Sequence, residues 1–279
     1  MASSGRALSC RLSHQLAPPV AIVTRLRASG CVFAEEEARL LVAAATTTEE
    51  LTALVDRRTA GVPLEHLLGW AEFAGLRIAV EPGVFVPRRR TELLVHEAVA
   101  ALVLGDSPRA VAVDLCCGSG AVGAAVAELV AGVELHAVDI DPVAVRCARR
   151  NLAGAGARVY EGDLYRPLPT TLRGRVDVLL ANVPYVPTES IELMPPEARV
   201  HEPKVALDGG ADGLDVARRV IAQARRWLAP GGAVLVETSE RQAPATVEEF
   251  TRGGLVPRLA RSDELSATVV IGTEGGVQR

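Results

Sequence analysis

An apolar run near residue 110 leads into Asp114-Leu115-Cys116-Cys117-Gly118-Ser119-Gly120-Ala121-Val122-Gly123, and a helical pattern follows. Glycines serve where the backbone must turn tightly and let a ligand approach without a Cβ in the way. Gly118 to Gly123 satisfies G-x-G-x-x-G, and Asp139 lies 19 residues after Gly120, near the spacing of an acid that binds a ribose hydroxyl. Two ligands therefore compete, a nicotinamide dinucleotide and S-adenosylmethionine. In dinucleotide sites the first glycine follows the strand at once, whereas here four residues intervene, beginning with Asp114. A carboxylate there disfavours a diphosphate and suits a sulfonium and an ammonium group, which favours S-adenosylmethionine. Asp139 then accepts from the adenosyl ribose. Asp163 and Leu164 flank the adenine as polar partner and apolar wall, although Asp163 also reads as a turn or helix-cap acid. Cys116 and Cys117, with Ser119, read as small loop residues beside the ligand rather than nucleophiles, since no histidine adjoins them to activate a thiol.

A second constellation is Asn182-Val183-Pro184-Tyr185, placed after the apolar run 176–181. An amide nitrogen is a poor nucleophile because its lone pair is delocalised. An enzyme that methylates one must hold both N–H groups and aim the nitrogen at the methyl donor. The Asn182 side-chain oxygen and the Val183 backbone carbonyl provide two acceptors. Pro184 restricts Val183 to extended backbone angles, and Tyr185 packs against the planar substrate group. Catalysis is then chiefly positioning, with no metal expected.

These residues need a scaffold. From residue 110 onward short apolar runs alternate with helical stretches: strands at 110–115, 133–139, 158–161, 176–181 and 233–237, with helices reaching Val130, over 142–152, over 214–228 and near 242–251. Such alternation implies βαβ units, a mostly parallel sheet and helices on both faces. Segments at 255–259 and 267–271 close the sheet as a hairpin. Before this α/β domain, residues 18–58 carry three helical patterns, with Thr48 ahead of Glu49-Glu50 as an N-cap. Residues 69–87 read as a hairpin around the turn Glu81-Pro82-Gly83. The expected organisation is a flexible 1–17, a helical substrate-binding domain over 18–68, a β-hairpin linker over 69–87 and a catalytic domain over 88–279.

Composition narrows the partners. The formal charge is −4, and 29 arginines and one lysine are scattered in small groups, so no basic face for stable nucleic-acid binding is expected. The arginine bias, with abundant Ala, Val and Gly, suggests a high-GC bacterial genome. The five cysteines have neither Cys-x-x-Cys spacing nor a plausible disulfide framework. No apolar run reaches the roughly 20 residues that span a bilayer. A bacterial cytoplasm is expected; the acid-free, arginine- and serine-containing residues 1–34 leave organellar targeting as a minor alternative.

The motifs together resemble the HemK/PrmC family of protein-(glutamine-N5) methyltransferases. The resemblance rests on residues 114–120, on Ala137-Val138-Asp139-Ile140-Asp141-Pro142 and on Asn182 to Tyr185. It extends to Gly61-Val62-Pro63-Leu64-Glu65-His66-Leu67-Leu68-Gly69 and Val84-Phe85-Val86-Pro87-Arg88-Arg89-Arg90-Thr91-Glu92. After the acceptor loop, His201-Glu202-Pro203, residues 206–210 and Asp212-Gly213-Leu214 also match. The resemblance implies a class I S-adenosylmethionine-dependent methyltransferase domain with a Rossmann-like, seven-stranded, doubly wound sheet. It also implies methyl transfer to the side-chain nitrogen of a glutamine in a protein, in the best-known case the Gly-Gly-Gln motif of peptide chain release factors. Arg88, Thr91 and Glu92 are then placed near the active-site entrance, while Arg89 and Arg90 read equally as solvated surface. Two departures stand out: Val183 replaces the second residue of Asn-Pro-Pro-Tyr, and Cys116-Cys117 replaces a glycine-containing pair. The substrate could therefore be a ribosomal or other protein. Adenine-N6 methylation of nucleic acid uses the same two acceptors, and a silent binding module is the remaining alternative.

Overall fold

The computed structural model describes residues 19–105, 107 and 109–274; the expected flexible segment 1–17 lies outside them. The chain divides into two compact units, one ending at Gly69 and the other beginning at Trp70.

The first unit is helical: α1 (Val20–Ala28), α2 (Ala34–Ala44), α3 (Thr48–Thr59) and a short α4 (Leu64–Leu68) that the periodicity did not separate. The α3 cap is Thr47, one residue earlier than expected, and its side chain accepts the Glu50 amide at 3.1 Å. Leu26, Leu41 and Val55 form the core of this unit. At its side, Arg58 donates to both carboxylate oxygens of Glu37, at 2.6 and 3.1 Å.

The second unit opens with an antiparallel hairpin of β1 (Trp70–Phe73) and β2 (Leu76–Ala79). Its turn is Ala74-Gly75, both at positive φ (49° and 75°), rather than Glu81-Pro82-Gly83. The latter makes a separate turn closed by the Val84 amide donating to the Glu81 carbonyl at 3.0 Å. A short 3₁₀ turn over Arg89–Thr91 then leads into α5 (Glu92–Leu104), a helix absent from the sequence reading.

Strands and helices then alternate: β3 (Val111–Leu115), α6 (Ala121–Leu129), β4 (Glu134–Asp139), α7 (Pro142–Asn151), β5 (Arg158–Glu161) and β6 (Val176–Ala181). After an irregular stretch containing α8 (Pro196–His201) come α9 (Asp215–Ala224), β7 (Leu228–Thr238), α10 (Ala243–Arg252), β8 (Leu255–Ser262) and β9 (Ala267–Glu274). The seven-stranded sheet has the order β5-β4-β3-β6-β7-β9-β8. Every pair is parallel except those made by β9, which runs antiparallel to β7 and β8.

The sheet is covered on both faces, as its largely apolar, buried central strands require. Ala112, Val178 and Leu180 pack on one face against α5, α6 and α7 through Leu94, Val126 and Ala148. Alternate residues Val113 and Leu179 pack on the other face against Val220 of α9 and Phe250 of α10. From β3 the chain steps outward through β4 to β5, then crosses back to β6 on the other side of β3. That reversal opens a crevice at the carboxyl ends of β3 and β6, where ligands bind in sheets of this type.

Candidate active site

One cavity occupies that crevice, and the loops after β3, β4, β5 and β6 all reach it. The loop after β3 is shaped by backbone that side chains disfavour: Gly118 and Gly120 have φ of 55° and 78°. A Cβ on Gly120 would lie 3.2 Å from the Ala148 Cα, so this glycine also lets α6 approach α7. Cys116 shares the left-handed conformation at φ 57°, the position where the resemblance leads one to expect glycine. Burial raises the pKa of both Cys116 and Cys117, and neighbouring carboxylates add to it. The thiols stay protonated, in line with a packing rather than a nucleophilic role.

The acids sit where the sequence implied. Asp114, at the end of β3, is 2% exposed, and its Oδ2 accepts the Gly123 amide at 3.0 Å. Burial pushes its carboxyl up to about 7, against the pull of that hydrogen bond. Asp139, at the end of β4, accepts the Gly118 amide at 2.8 Å and the Asp141 amide at 2.9 Å, one on each oxygen. Its pKa is raised, burial outweighing these bonds. Each oxygen retains a lone pair on a cavity-lining residue. Asp163 and Leu164 follow β5; Asp163 is held by Arg219 of α9, and Leu164, at φ 48°, is buried against the cavity.

Asn182, Val183, Pro184 and Tyr185 form the wall beyond β6. The Asn182 Nδ2 donates to the Thr91 hydroxyl at 3.2 Å, which leaves its Oδ1 with no donor among the described residues. The Val183 carbonyl likewise receives no hydrogen bond there. The stretch 207–213 clamps this loop from behind. Val186 donates to the Leu207 carbonyl at 3.0 Å, Gly209 donates to the Val186 carbonyl at 2.9 Å, and the Gln242 amide donates to the Tyr185 carbonyl at 3.0 Å. Gly209 and Gly213 have no room for a side chain: a Cβ on the first would meet the Pro184 carbonyl at 2.7 Å, and on the second the Tyr185 carbonyl.

Arg88 lines the cavity, paired with Glu202, whose other oxygen, Oε2, is buried with no hydrogen-bond partner. Arg90 and Thr91 line it too, Thr91 fully buried. Glu92 and Gly120 do not. The Glu92 carboxylate accepts the Ala74 amide at 3.2 Å and faces a separate surface hollow with Glu72 and His96. The helix that starts at Glu92 turns its side chain away from the crevice. Arg89 is exposed and pairs with Glu264. Near the end of β7, outside the cavity lining, Glu237 is buried with no hydrogen bond to either oxygen, its Oε1 3.4 Å from the Arg90 Nε; the sequence did not single it out. Sequence reasoning missed Arg219, which lines the cavity and holds Asp163. Among the described residues no cluster of ligating side chains could hold a metal, and no helix is long and apolar enough to cross a membrane.

The cavity is thus lined by the carboxylates Asp114 and Asp139 and the glycine loop, together with Asn182 and Val183, whose side-chain and backbone carbonyl oxygens receive no hydrogen bond among the described residues. Known proteins share this arrangement of chain. Residues 75–210 match the family described as "Methyltransferase small domain". A structure titled methyltransferase from Pyrococcus furiosus superimposes with a TM-score of 0.53 at 19% identity, over 72% of this chain and 90% of that one. The ribosomal protein L11 methylase of Lactobacillus delbrueckii subsp. bulgaricus gives 0.50 at 16% identity, over 71% and 86%. These establish the fold. Closer in sequence is the release factor glutamine methyltransferase of Geobacter sulfurreducens, 39% identical over 80% of this chain and 78% of that protein. That of Mycolicibacterium smegmatis is 43% identical over 72% and 70%. The 4-amino-L-phenylalanine/4-methylamino-L-phenylalanine methyltransferase of Streptomyces pristinaespiralis is 36% identical over 72% and 69%. Identity of this extent, spread over both partners' lengths and over a class I methyltransferase fold, places the chain in the release factor glutamine methyltransferase family.

Proposed function

We propose that this enzyme transfers a methyl group from S-adenosylmethionine to the side-chain amide nitrogen of a glutamine in a protein, the Gly-Gly-Gln motif of a peptide chain release factor being the substrate. The observation that carries the reading is Asn182, which lines the crevice and donates to Thr91 while its carbonyl oxygen takes no hydrogen bond. The donor supplies an electrophilic methyl on a cationic sulfur. Residues lining the crevice fit such a ligand: Asp114 and Asp139 offer negative charge and hydroxyl acceptors where a diphosphate would be repelled. In this reading Asp139 holds the ribose, Leu164 walls the adenine, and the turn at Gly118 and Gly120 cradles the amino-acid end. Asp163 reaches the adenine edge from its pairing with Arg219.

The substrate amide donates one N–H to the Asn182 Oδ1 and the other to the Val183 carbonyl. Held twice, its nitrogen cannot rotate away from the methyl group; as the N–C bond forms the S–C bond breaks, neutral S-adenosylhomocysteine is the leaving group, and the proton lost from nitrogen passes to solvent, so the site acts by orientation rather than by a strong base. Pro184 keeps the Val183 carbonyl turned inward, and Tyr185 and Arg88 border the route by which the glutamine enters. The helical first unit provides the grip on the protein; Val20, Val32 and Phe33 are exposed large apolar residues there. The relative that acts on 4-amino-L-phenylalanine supports a second reading, a small aromatic amine in the same two-acceptor cradle.

The test incubates the purified chain with methyl-labelled S-adenosylmethionine and, separately, a class I release factor, 4-amino-L-phenylalanine and a duplex oligonucleotide. Label on the release factor glutamine is expected, lost in Asn182→Ala while donor binding by calorimetry persists. Label on the amine or the oligonucleotide alone would overturn the assignment.

A further inference from the structure

The stretch that follows α8 holds two other segments of the crevice at once. At its far end Leu207 and Gly209 bond the backbone of Val186. At its near end stands Glu202, whose side chain is 1% exposed. Its Oε1 accepts both the Arg88 Nη2 and, at 3.3 Å, the Val86 backbone amide, while its Oε2 is buried without a partner. A carboxylate so placed is costly and persists where it organises its surroundings. What it organises is Arg88. With Nη2 bound to Glu202 and the guanidinium 5.1 Å from the centre of the Phe85 ring, the fork is fixed at its tip and over its face. Its Nε and Nη1 have no hydrogen-bond partner among the described residues, and the side chain, 34% exposed, lines the crevice. Three residues on, Thr91 receives the Asn182 amide at 3.2 Å, so Arg88 belongs to the segment that borders the acceptor loop.

We propose that Glu202 is a positioning residue: it aims the unpaired N–H groups of Arg88 into the crevice, where they take a main-chain carbonyl oxygen of the protein substrate beside the methylated glutamine. The reasoning is one of complementarity. Asn182 and Val183 offer acceptors, and the substrate amide spends both of its hydrogens on them. What a peptide has left around a glutamine is chiefly carbonyl oxygen, which needs donors. The cavity-lining cations are Arg88, Arg90 and Arg219. Arg219 is engaged with Asp163, and the Arg90 Nε lies 3.4 Å from the Glu237 carboxylate. Arg88 is paired with a carboxylate that a backbone amide fixes in turn, so the fold sets its direction. A donor already aimed loses little freedom on binding, and that advantage falls on substrate affinity, since Arg88 meets no reacting atom. The inference rests on the proposed protein substrate, whereas the fixed guanidinium can be observed without turnover.

Glu202→Met removes the hold at similar length, Glu202→Gln keeps an oxygen for Arg88 and Val86, and Arg88→Met removes the donor. The full chain labelled with ¹⁵N-arginine reports rotation about the Arg88 Cζ–Nε bond, the signal assigned by its loss in Arg88→Lys. Slow rotation is expected in the wild type and in Glu202→Gln, and rotation faster by about tenfold or more in Glu202→Met. In the transfer assay with a class I release factor, KM rises about tenfold in Glu202→Met and in Arg88→Met, the worth of a hydrogen bond from a charged donor. The loss appears in KM rather than kcat, donor affinity is kept, and Glu202→Gln recovers most of it. The double variant matches Arg88→Met alone, because Glu202 acts through Arg88. A residue that only props the fold would add its loss to that of Arg88→Met. Unchanged rotation or unchanged KM in folded Glu202→Met, or additive losses in the double variant, would overturn the proposal. So would a wild-type Arg88 that rotates as freely as the exposed Arg89, a result that needs no variant to fold. If the wild-type chain methylates no release factor, the function assigned above fails while the rotation measurement still decides whether Glu202 fixes Arg88.

Discussion

The Asp114 Oδ2 accepts the backbone amide of Gly123 at 3.0 Å, so the last turn of β3 is tied to the first turn of α6 by a carboxyl that water barely reaches. The bond uses one lone pair, and the others stay available to a cationic ligand at the same crevice.

That carboxyl makes donor binding depend on pH. Burial raises Asp114 from 3.8 to about 7. Above pH 7 it is an anion that attracts a sulfonium or ammonium; below, it is neutral. Affinity for S-adenosylmethionine should approach tenfold weaker at pH 6 than at pH 8, and Asp114→Asn should flatten the profile at the weak level. Without ligand the sign reverses: the folded state holds a proton that the unfolded state has lost, so stability falls as pH rises from about 4 to about 7. Asp139, Glu202 and Glu237 are also raised by burial and act in the same direction, so Asp114→Asn removes only part of that slope. Calorimetric titrations across pH 5.5 to 8.5 would settle it; a flat wild-type binding profile would sink the electrostatic role.

The glycine loop supplies an opposed pair of substitutions. Gly120→Ala forces φ 78° on an L-residue and drives a Cβ to 3.2 Å from Ala148, and should cost roughly 1–3 kcal/mol. Cys116→Gly relieves a side chain already at φ 57° and should be neutral or stabilising by up to about 1 kcal/mol. Chemical denaturation of both variants checks the pair. A Cys116→Gly protein that loses several kcal/mol would mean that the thiol packs for more than its backbone strain costs.

Asp139 holds two backbone amides while facing the cavity. Asp139→Ala should weaken donor binding by roughly tenfold to a hundredfold, the worth of hydrogen bonds to a charged acceptor. Asp139→Asn, which keeps one oxygen, should fall between. Unchanged calorimetric affinity in both would refute the ribose assignment.

In the helical unit, Arg58 and Glu37 form a two-pronged ion pair with side chains only 10% and 11% exposed. Arg58→Ala leaves a largely buried carboxylate, and should cost the unit about 3 kcal/mol or more. Hydrogen exchange over 34–59 should accelerate accordingly, and Arg58→Met, with Glu37→Leu beside it, should recover much of the loss.

Much of the second unit was legible because its strands are buried on both faces and so appear as apolar runs such as Val178 to Ala181. Helix α5 was not. Leu93, Leu94, Val95, Ala98 and Leu102 are all buried, and apolar residues on several sides of a helix leave no amphipathic stripe to detect. The hairpin turn was misplaced because Pro82-Gly83 is the stronger turn dipeptide, whereas Ala74 adopts a positive φ that alanine rarely takes. That residues 182–185 and the acids at 114 and 139 would come to one crevice was readable because they lie within short motifs that follow strands. Glu237 was hidden for the opposite reason: it meets Arg90 only after the chain has passed through five further strands, and a carboxylate ending an apolar strand looks like ordinary solvated punctuation. Glu92 was misjudged by the same blindness to direction, since adjacent residues on a helix point to different sides.

The clamp of Gly209 and Gly213 against the acceptor loop carries a consequence for mutational mapping. With polar atoms filling the space where side chains would be, any enlargement must displace the Pro184 or Gly213 carbonyl at the first position and the Tyr185 carbonyl or the Gln242 amide at the second, and so loosen the loop that borders the crevice. A saturation scan scored by methylation alone would therefore rank these two glycines with Asn182, although neither lines the cavity. Scoring protein abundance and donor binding alongside turnover would separate the residues that touch the amide from those that only hold the door frame square.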